Sequence, residues 1–585
     1  MALFAPTVAF GWVYDDQMEI VLNTFVHSLR YLPEVFSSST WAGSGMETYL
    51  YRPLSSATYA LNHSLSGLEP WSYHLVNVLL HAGCSILVFR IGRLWKLPTA
   101  VAGVGALLFA VHPAHVEVVA AVFGRKDLLA TLFTLAMVLG HRAAIARGGW
   151  RVILPVAAFA AAILSKEVGL VALPLVAAHD WFLEPDRKRF LNLQRVPGLY
   201  IGYLAVLLGF ILIRNQVVGG FGISGTSFFD NPLVMAGPLS RSMTALVVLA
   251  RGLGLLAAPV VLSPDYSFDA IPLVESVADP RFLGAMVLFG FIAGWTWWRK
   301  NQGLILPLAL LWYILAVLPT SNLFFTVGTI FGERLLYLPS VAFCFLSAYG
   351  LSRIQRWSPN TAGALLVSAL ALWGGQTIRY SRAWEGDIPL FSWAVTQIPN
   401  STKAHHKLGE EQLRAGRLGD AVRSLRRSLE IAPANEFAVI TLSQATRQIG
   451  DRHLPDLTPL PTDPDILFVL GQILQRQGDL DGAATLWEEA VRQNPLHAAA
   501  LTDLGVIWTS RADTARGMAY LEEAGRAKPS FAMAWFHLGR IRLAKGDSQA
   551  AQEALDRFIE TAGPQLEYEV RWARIVLGTL GTRKD

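Results

Sequence analysis

Apolar residues run in long blocks through the first two thirds of the chain and give way to an amphipathic pattern over the last third. The blocks predict membrane-crossing helices at about 72–91, 99–113, 127–141, 152–165, 167–183, 196–213, 282–298, 303–318, 335–352 and 361–378. Several fall short of the ~20 residues a full crossing wants, so their boundaries are soft. An earlier run, Ala2–Val13, is shorter still and reads as the end of a truncated span or as an interfacial helix. Residues 239–262 are apolar enough to cross but carry Arg241, Arg251 and the glycines Gly252 and Gly254; they read as a re-entrant or interfacial segment.

Basic residues orient the spans. Arg90, Arg93 and Lys96, then Arg142, Arg147 and Arg151, then Arg187, Lys188, Arg189 and Arg195, then Arg299 and Lys300, and finally Arg353 and Arg356 mark cytoplasmic loops. The loops around Asp15-Asp16, His112–Asp127, Ser165–Glu167, Arg214–Pro238, Pro264–Arg281 and Pro319–Arg334 then face outward. About eleven crossings, the first truncated, would put the C-terminal part on the same side as Asp15-Asp16.

Beyond residue 400 the pattern repeats. Leu-Gly pairs stand at Leu408-Gly409, Leu470-Gly471, Leu504-Gly505 and Leu538-Gly539, and prolines near the unit ends at Pro433, Pro495 and Pro529. Both series step by 62 and then by 34, the period of tetratricopeptide (TPR) repeats. Ala421, Ala483, Gly517 and Ala551 take the small-residue place, and Leu425, Trp487, Leu521 and Leu555 follow four residues later. A shortened unit fits about 436–463, and a last helix, Glu567–Leu580, caps the stack. His406, Phe468, Arg476, Phe536 and Arg540 take groove-facing places by resemblance to such repeats. The fold expected is all-α: a membrane domain at 1–384, a linker at 385–401 and a solenoid at 402–585.

Composition agrees with that division. The chain is 53% hydrophobic and 16% charged, against about 25% charged in soluble proteins. A net charge of +5 is accounted for by the short basic loops and calls for no nucleic-acid partner. Cys84 and Cys344 lie inside apolar runs, so no disulfide framework is expected, and no cleaved signal peptide is read.

A set of short motifs keeps one order along the chain: Trp12-Val13-Tyr14-Asp15-Asp16, Tyr51-Arg52-Pro53-Leu54, the stretch Tyr73 to His81, Phe109 to Glu117 and Gly124-Arg125-Lys126-Asp127. Ser165-Lys166-Glu167, Ser263-Pro264-Asp265-Tyr266-Ser267 and Gly332-Glu333-Arg334 to Ser340 follow. In that order they resemble the transmembrane and TPR-repeat-containing O-mannosyltransferase family and its bacterial relatives. The resemblance implies a GT-C type membrane helical bundle. It also implies transfer of a sugar, mannose in the eukaryotic members, from a polyprenyl-phosphate carrier to Ser or Thr of a protein on the non-cytoplasmic face.

Such a transfer needs a carboxylate to take the acceptor proton and cations to hold the departing phosphate. Asp15 or Asp16 is expected as the base, with inversion at carbon one. Arg52, Arg125, Lys166 and Arg334 are expected on the donor phosphate; each also fits a side chain that only snorkels to lipid headgroups. His112, His115, Glu117, Asp127, Glu167 and Glu333 are expected as supporting or sugar-binding groups. His112 and His115 lack zinc-site spacing, and Pro113 disfavours one helix through both. The motifs name no cofactor for certain, and a divalent cation at Asp15-Asp16 stays open. The implied partners are a polyprenyl-phosphate-linked sugar, a protein acceptor in the TPR groove, and the bilayer. A bacterial inner membrane with periplasmic repeats is expected, or an ER membrane with lumenal repeats. Two other readings stay open: a non-catalytic membrane-anchored TPR scaffold, and a ligase of lipid-linked glycans.

Overall fold

The structure is a computed structural model, and it describes residues 2–183, 197–219, 226–268, 270–299, 303–432, 435–448, 464–476, 478–563 and 566–581. The described elements are helices. The chain divides into two compact units, 1–404 and 405–585.

In the first unit, five helices are long and apolar enough to cross a membrane: Pro70–Leu94, Val122–Arg147, Gly198–Val218, Pro238–Ala257 and Pro359–Glu385. Thr99–Val111 with Pro113–Ala120 makes a sixth if that pair, bent by 55°, counts as one span. The chain is thus a multi-pass membrane protein. Five of the eleven expected crossings fall on other helices: Ile153–Ser165, Ala172–Leu183, Pro280–Arg299, Ile305–Val317 and Ser340–Gln355. A 13-residue helix such as Ile153–Ser165 rises only ~20 Å, short of a ~30 Å hydrocarbon core. By length and composition, five or six helices among the described residues are candidate crossings.

Pro238–Ala257 passes the length test, yet its flanks do not part. The Phe268 N–H donates to the Phe229 carbonyl at 3.0 Å, closing the segment before the helix onto the segment after it. Lys403 pairs with Asp230 on one flank, and the Ser401 hydroxyl donates to Asp265 on the other. Both flanks thus lie close together in this unit.

The opening run is neither span nor long helix. Ala5–Ala9 forms a 3-10 turn with Pro6 at its start, after Ala5, and buried Phe4 sets its ring edge-on to His81 at 5.2 Å. Residues 385–401, expected as a linker, contain the helix Asp387–Gln397, whose Leu390, Phe391 and Ala394 are buried.

The second unit is a stack of helix pairs, from Leu418–Ile431 to Ala532–Ala544 with Ser548–Thr561, closed by Glu567–Gly581. The repeat chemistry explains the pairing. A Cβ on Gly409, Gly471, Gly505 or Gly539 would meet Leu425, Trp487, Leu521 or Leu555 at 2.2–2.7 Å, so glycine lets each partner helix close in. Asp479, Asp513 and Asp547 each accept a backbone N–H at the start of the second helix of a pair. The shortened unit begins as the helix Glu436–Gln448, and residues 449–463 lie outside the described residues. Of the expected groove residues, His406 bonds Thr441 at 3.2 Å. Phe468 packs on Trp487 and His497, and Phe536 packs on Phe558 and Trp572 with Arg540 over its ring. These contacts are internal to the stack; the Arg476 side chain lies outside the described residues.

Candidate active site

Where apolar helices break, the charged motifs meet. Pro113 ends the helix Thr99–Val111, and the chain turns through Val116–Ala120 before Arg125–Arg147 begins. Gly124 permits that turn, because a Cβ there would lie 2.2 Å from the Val118 carbonyl oxygen. Ile153–Ser165 ends at Lys166, whose extended backbone leads into a 3-10 turn at Glu167–Val171. Arg52 precedes the helix Pro53–Ser66, and Glu333 opens another 3-10 turn.

Four ion pairs tie these breaks together. Arg52 reaches Glu167 at 3.1 Å, Lys166 reaches Asp127 at 2.6 Å, Lys126 pairs with Glu19, and Arg334 pairs with Glu117. The Arg334 backbone N–H also donates to Glu117 at 2.9 Å. Arg52 feels Glu19 and Asp127 beyond its own partner, and Lys166 feels Arg52, Arg334 and Lys126, so the pairs form one cluster. Burial pushes the Lys166 ammonium down to about 8, against the upward pull of Asp127. Burial also disfavours the Arg334 charge, but Glu117, and then Asp15 and Tyr14, more than offset it. Glu19 Oε2 and Asp127 Oδ2 are buried acceptors without a donor among the described residues.

The two adjacent carboxylates differ. Asp16 is fully buried; its Oδ1 accepts the Phe123 N–H at 2.6 Å and its Oδ2 the Val13 N–H at 3.1 Å. Burial pushes its carboxyl up to about 8 despite those two donors. Asp15 is half-buried, lies within electrostatic reach of Arg334, and its carboxylate takes no hydrogen bond from a described residue.

Other expected site residues have different places. Arg125 is fully buried. Its guanidinium donates to Asn77, Asn62 and the Tyr73 carbonyl, and stacks over Tyr59 at 4.8 Å. These bonds tie it to the helices around it, and no ion pair joins it to the cluster among the described residues. The His112 Nε2–H donates to the Leu256 carbonyl at 3.0 Å, and its Nδ1 accepts the Ala114 N–H. His115 is held between the Phe109 carbonyl and Ser340. Both are buried in an aromatic cluster with His81 and Tyr337, and neither joins an ion pair among the described residues. Glu333 is buried without a cation: Ser263 N–H and the Tyr266 hydroxyl donate to it, and burial lifts its carboxyl well above the usual range. Among the described residues no group of three or more His, Cys, Asp or Glu side chains is placed to hold a metal ion.

Glu19 and Lys126 were not expected in the site. Lys126 stood inside a quoted motif, and Glu19 lies one helical turn from Asp15 and Asp16, so both carried a signal. Glu19 lies on a π-helical turn, Gln17–Val21, with its side chain buried.

Comparison with known proteins follows the same segments. Residues 52–213 match a family described as dolichyl-phosphate-mannose-protein mannosyltransferase. Residues 225–293 match "Protein O-mannosyl-transferase TMTC, DUF1736", and 468–529 and 510–567 match tetratricopeptide repeats. A bacterial transcriptional activator domain model matches 340–454, across the division between the units. Protein O-mannosyl-transferase TMTC3 of Mus musculus is 30% identical over 430 residues, covering 68% of this chain and 46% of the mouse protein. TMTC4 of Homo sapiens is 30% identical over 472 residues, 72% of this chain and 63% of the human protein. The chain thus spans about half to two thirds of the length of these relatives. Among solved structures, MamA aligns at 19% identity over 32% of this chain and 93% of its own, with a TM-score of 0.20. Yeast Tom70 aligns at 12% identity over 86% and 97%, with a TM-score of 0.25; neither score bears on the architecture. The sequence matches make the chain a relative of the TMTC family, with that family's own segment, a mannosyltransferase-type segment and tetratricopeptide repeats in one sequence.

Proposed function

We propose that the chain is a membrane glycosyltransferase that moves a mannosyl group from a polyprenyl-phosphate carrier to a Ser or Thr hydroxyl of a protein. The observation that carries this reading is the cluster of Arg52, Lys166, Lys126 and Arg334 with their carboxylates, with Asp15 beside Arg334. Asp15 is the base: its carboxylate is unengaged, whereas both Asp16 oxygens are occupied by backbone donors. In the step proposed, Asp15 takes the acceptor proton as the hydroxyl oxygen bonds carbon one from the face opposite the phosphate. The bond from carbon one to the phosphate oxygen breaks, and its electron pair leaves on the polyprenyl phosphate. Arg334, Lys166 and Arg52 stabilise that charge, their carboxylate partners keeping them oriented in a site shielded from water. Glu117, Asp127 and Glu167 are those partners. Asp16 holds the turn that presents Asp15.

The reaction is assigned to the non-cytoplasmic face of the membrane, with the repeats gathering the acceptor. The test is transfer of labelled mannose from polyprenyl-phosphate mannose by purified protein. Asp15→Asn is expected to lower the rate about 10²–10⁴-fold, the contribution of a general base, with membrane insertion intact. Undiminished transfer by D15N removes Asp15 from this role. Transfer from polyprenyl-diphosphate glycans instead would favour a glycan ligase, and no transfer with any donor would favour a scaffold. Chelation in the same assay reads metal dependence.

A further inference from the structure

Asp15 follows a residue in an unusual backbone state. Tyr14 has φ +53°, the left-handed region that a bulky aromatic residue seldom enters without support. That support comes from the other end of the first unit. The Tyr14 N–H donates to the Asp387 carboxylate at 2.7 Å across 373 residues. The Tyr14 ring stands edge-on to Phe391 at 5.6 Å and to Phe123 at 5.9 Å. The Lys403 ammonium lies 5.8 Å from the same ring. Three residues upstream, the Gly11 N–H donates to the Glu385 carbonyl at 3.3 Å. Asp387 opens the helix Asp387–Gln397, and Lys403 is anchored in turn by Asp230.

We propose that Asp387 is a positioning residue for Asp15, and that Phe391 and Lys403 complete a clamp tying the base to the stretch of chain that leads into the repeats. The clamp holds Tyr14 left-handed, and the left-handed residue sets the direction in which Asp15 leaves the chain. Without it, Tyr14 relaxes to an ordinary backbone conformation and Asp15 turns away from Arg334. Any shift at residues 398–403 then reaches the base through Lys403 and the helix. This inference rests on the reading of Asp15 as the base.

The experiment uses the full chain in lipid nanodiscs with two readouts. In the first, transfer from polyprenyl-phosphate mannose is measured for D387A, D387N and K403Q. D387A is expected to lower kcat about 30- to 100-fold, the usual result of misplacing a catalytic group by about an ångström, with the donor KM within about twofold. D387N is expected to stay within about threefold of the parent, because its amide oxygen accepts the same N–H. K403Q, on a partly exposed side chain, is expected to lower kcat about three- to tenfold. The second readout needs no sugar transfer. Cys84 and Cys344 are both buried, so a D15C variant supplies the reactive thiol, and iodoacetamide reports its setting. Adding D387A to D15C is expected to change the labelling rate at least about fivefold, and adding D387N to leave it within about twofold. Equal labelling of D15C with and without D387A overturns the clamp, as does a loss in D387N as large as in D387A. If D387A fails to accumulate in the membrane, K403Q decides in both readouts, and wild-type behaviour there overturns the clamp. If the parent protein transfers no sugar, the reading of Asp15 as base falls while the labelling still decides the clamp.

Discussion

Burial raises the Asp16 carboxyl to about 8 from an ordinary value of 3.8, and the sign of its effect on stability follows. The folded chain holds this proton more tightly than the unfolded chain. Its contribution is therefore complete below about pH 4 and is lost as pH rises through about 8. Glu333, also lifted by burial, adds to the same trend. Thermal unfolding in detergent should show a midpoint that falls between pH 5 and 9, and D16N should flatten that fall; an unchanged slope in D16N would show that Asp16 does not hold the proton. At this scale the sequence showed which residue types meet but not how each is used. Arg52, Lys166 and Arg334, expected on the donor phosphate, each pair with a carboxylate in one cluster. Arg125, from the same kind of motif, is enclosed by amides and aromatic rings. The difference lies in neighbours such as Asn62 and Tyr73, which only the folded chain brings to its guanidinium.

Helices meet around that buried guanidinium. Arg125, at the start of Arg125–Arg147, bonds Thr58 and Asn62 of Pro53–Ser66 and Asn77 and Tyr73 of Pro70–Leu94. One side chain thus joins three helices. Removing it leaves several buried acceptors without donors as well as a cavity, a cost of about 3 kcal/mol or more. R125A should therefore reduce thermal stability or accumulation in the membrane. R52Q and R334Q should instead slow transfer with a smaller loss of stability, and the paired measurement of midpoint and rate checks this. Helix existence was legible from hydropathy, and the TPR units from a period of 34. Crossing number was not. A short apolar helix such as Ile305–Val317 has the same local pattern as the end of a long one. Whether Pro238–Ala257 parts its flanks is settled by the bond from Phe268 to Phe229, which local pattern does not encode.

Each of the two units has its own core. In residues 405–585 it includes Leu425, Trp487 and Leu504, then Leu521, Leu538 and Phe558. Such stacks are stabilised by neighbouring repeats, so 405–585 expressed alone should give a soluble helical protein with cooperative unfolding. Circular dichroism on heating checks this, and an unstructured product would show that the stack needs the membrane unit to fold. The membrane unit is built on a different plan, because its ion pairs join distant parts of the chain. Synthesis runs from the N-terminus, so Glu19 waits for Lys126, Arg52 for Glu167, and Glu117 for Arg334, 217 residues later. A nascent chain stopped before residue 334 carries the Glu117 carboxylate without the cation that it meets, buried, in the folded chain. The cluster is therefore complete only once more than half of the polypeptide has been made.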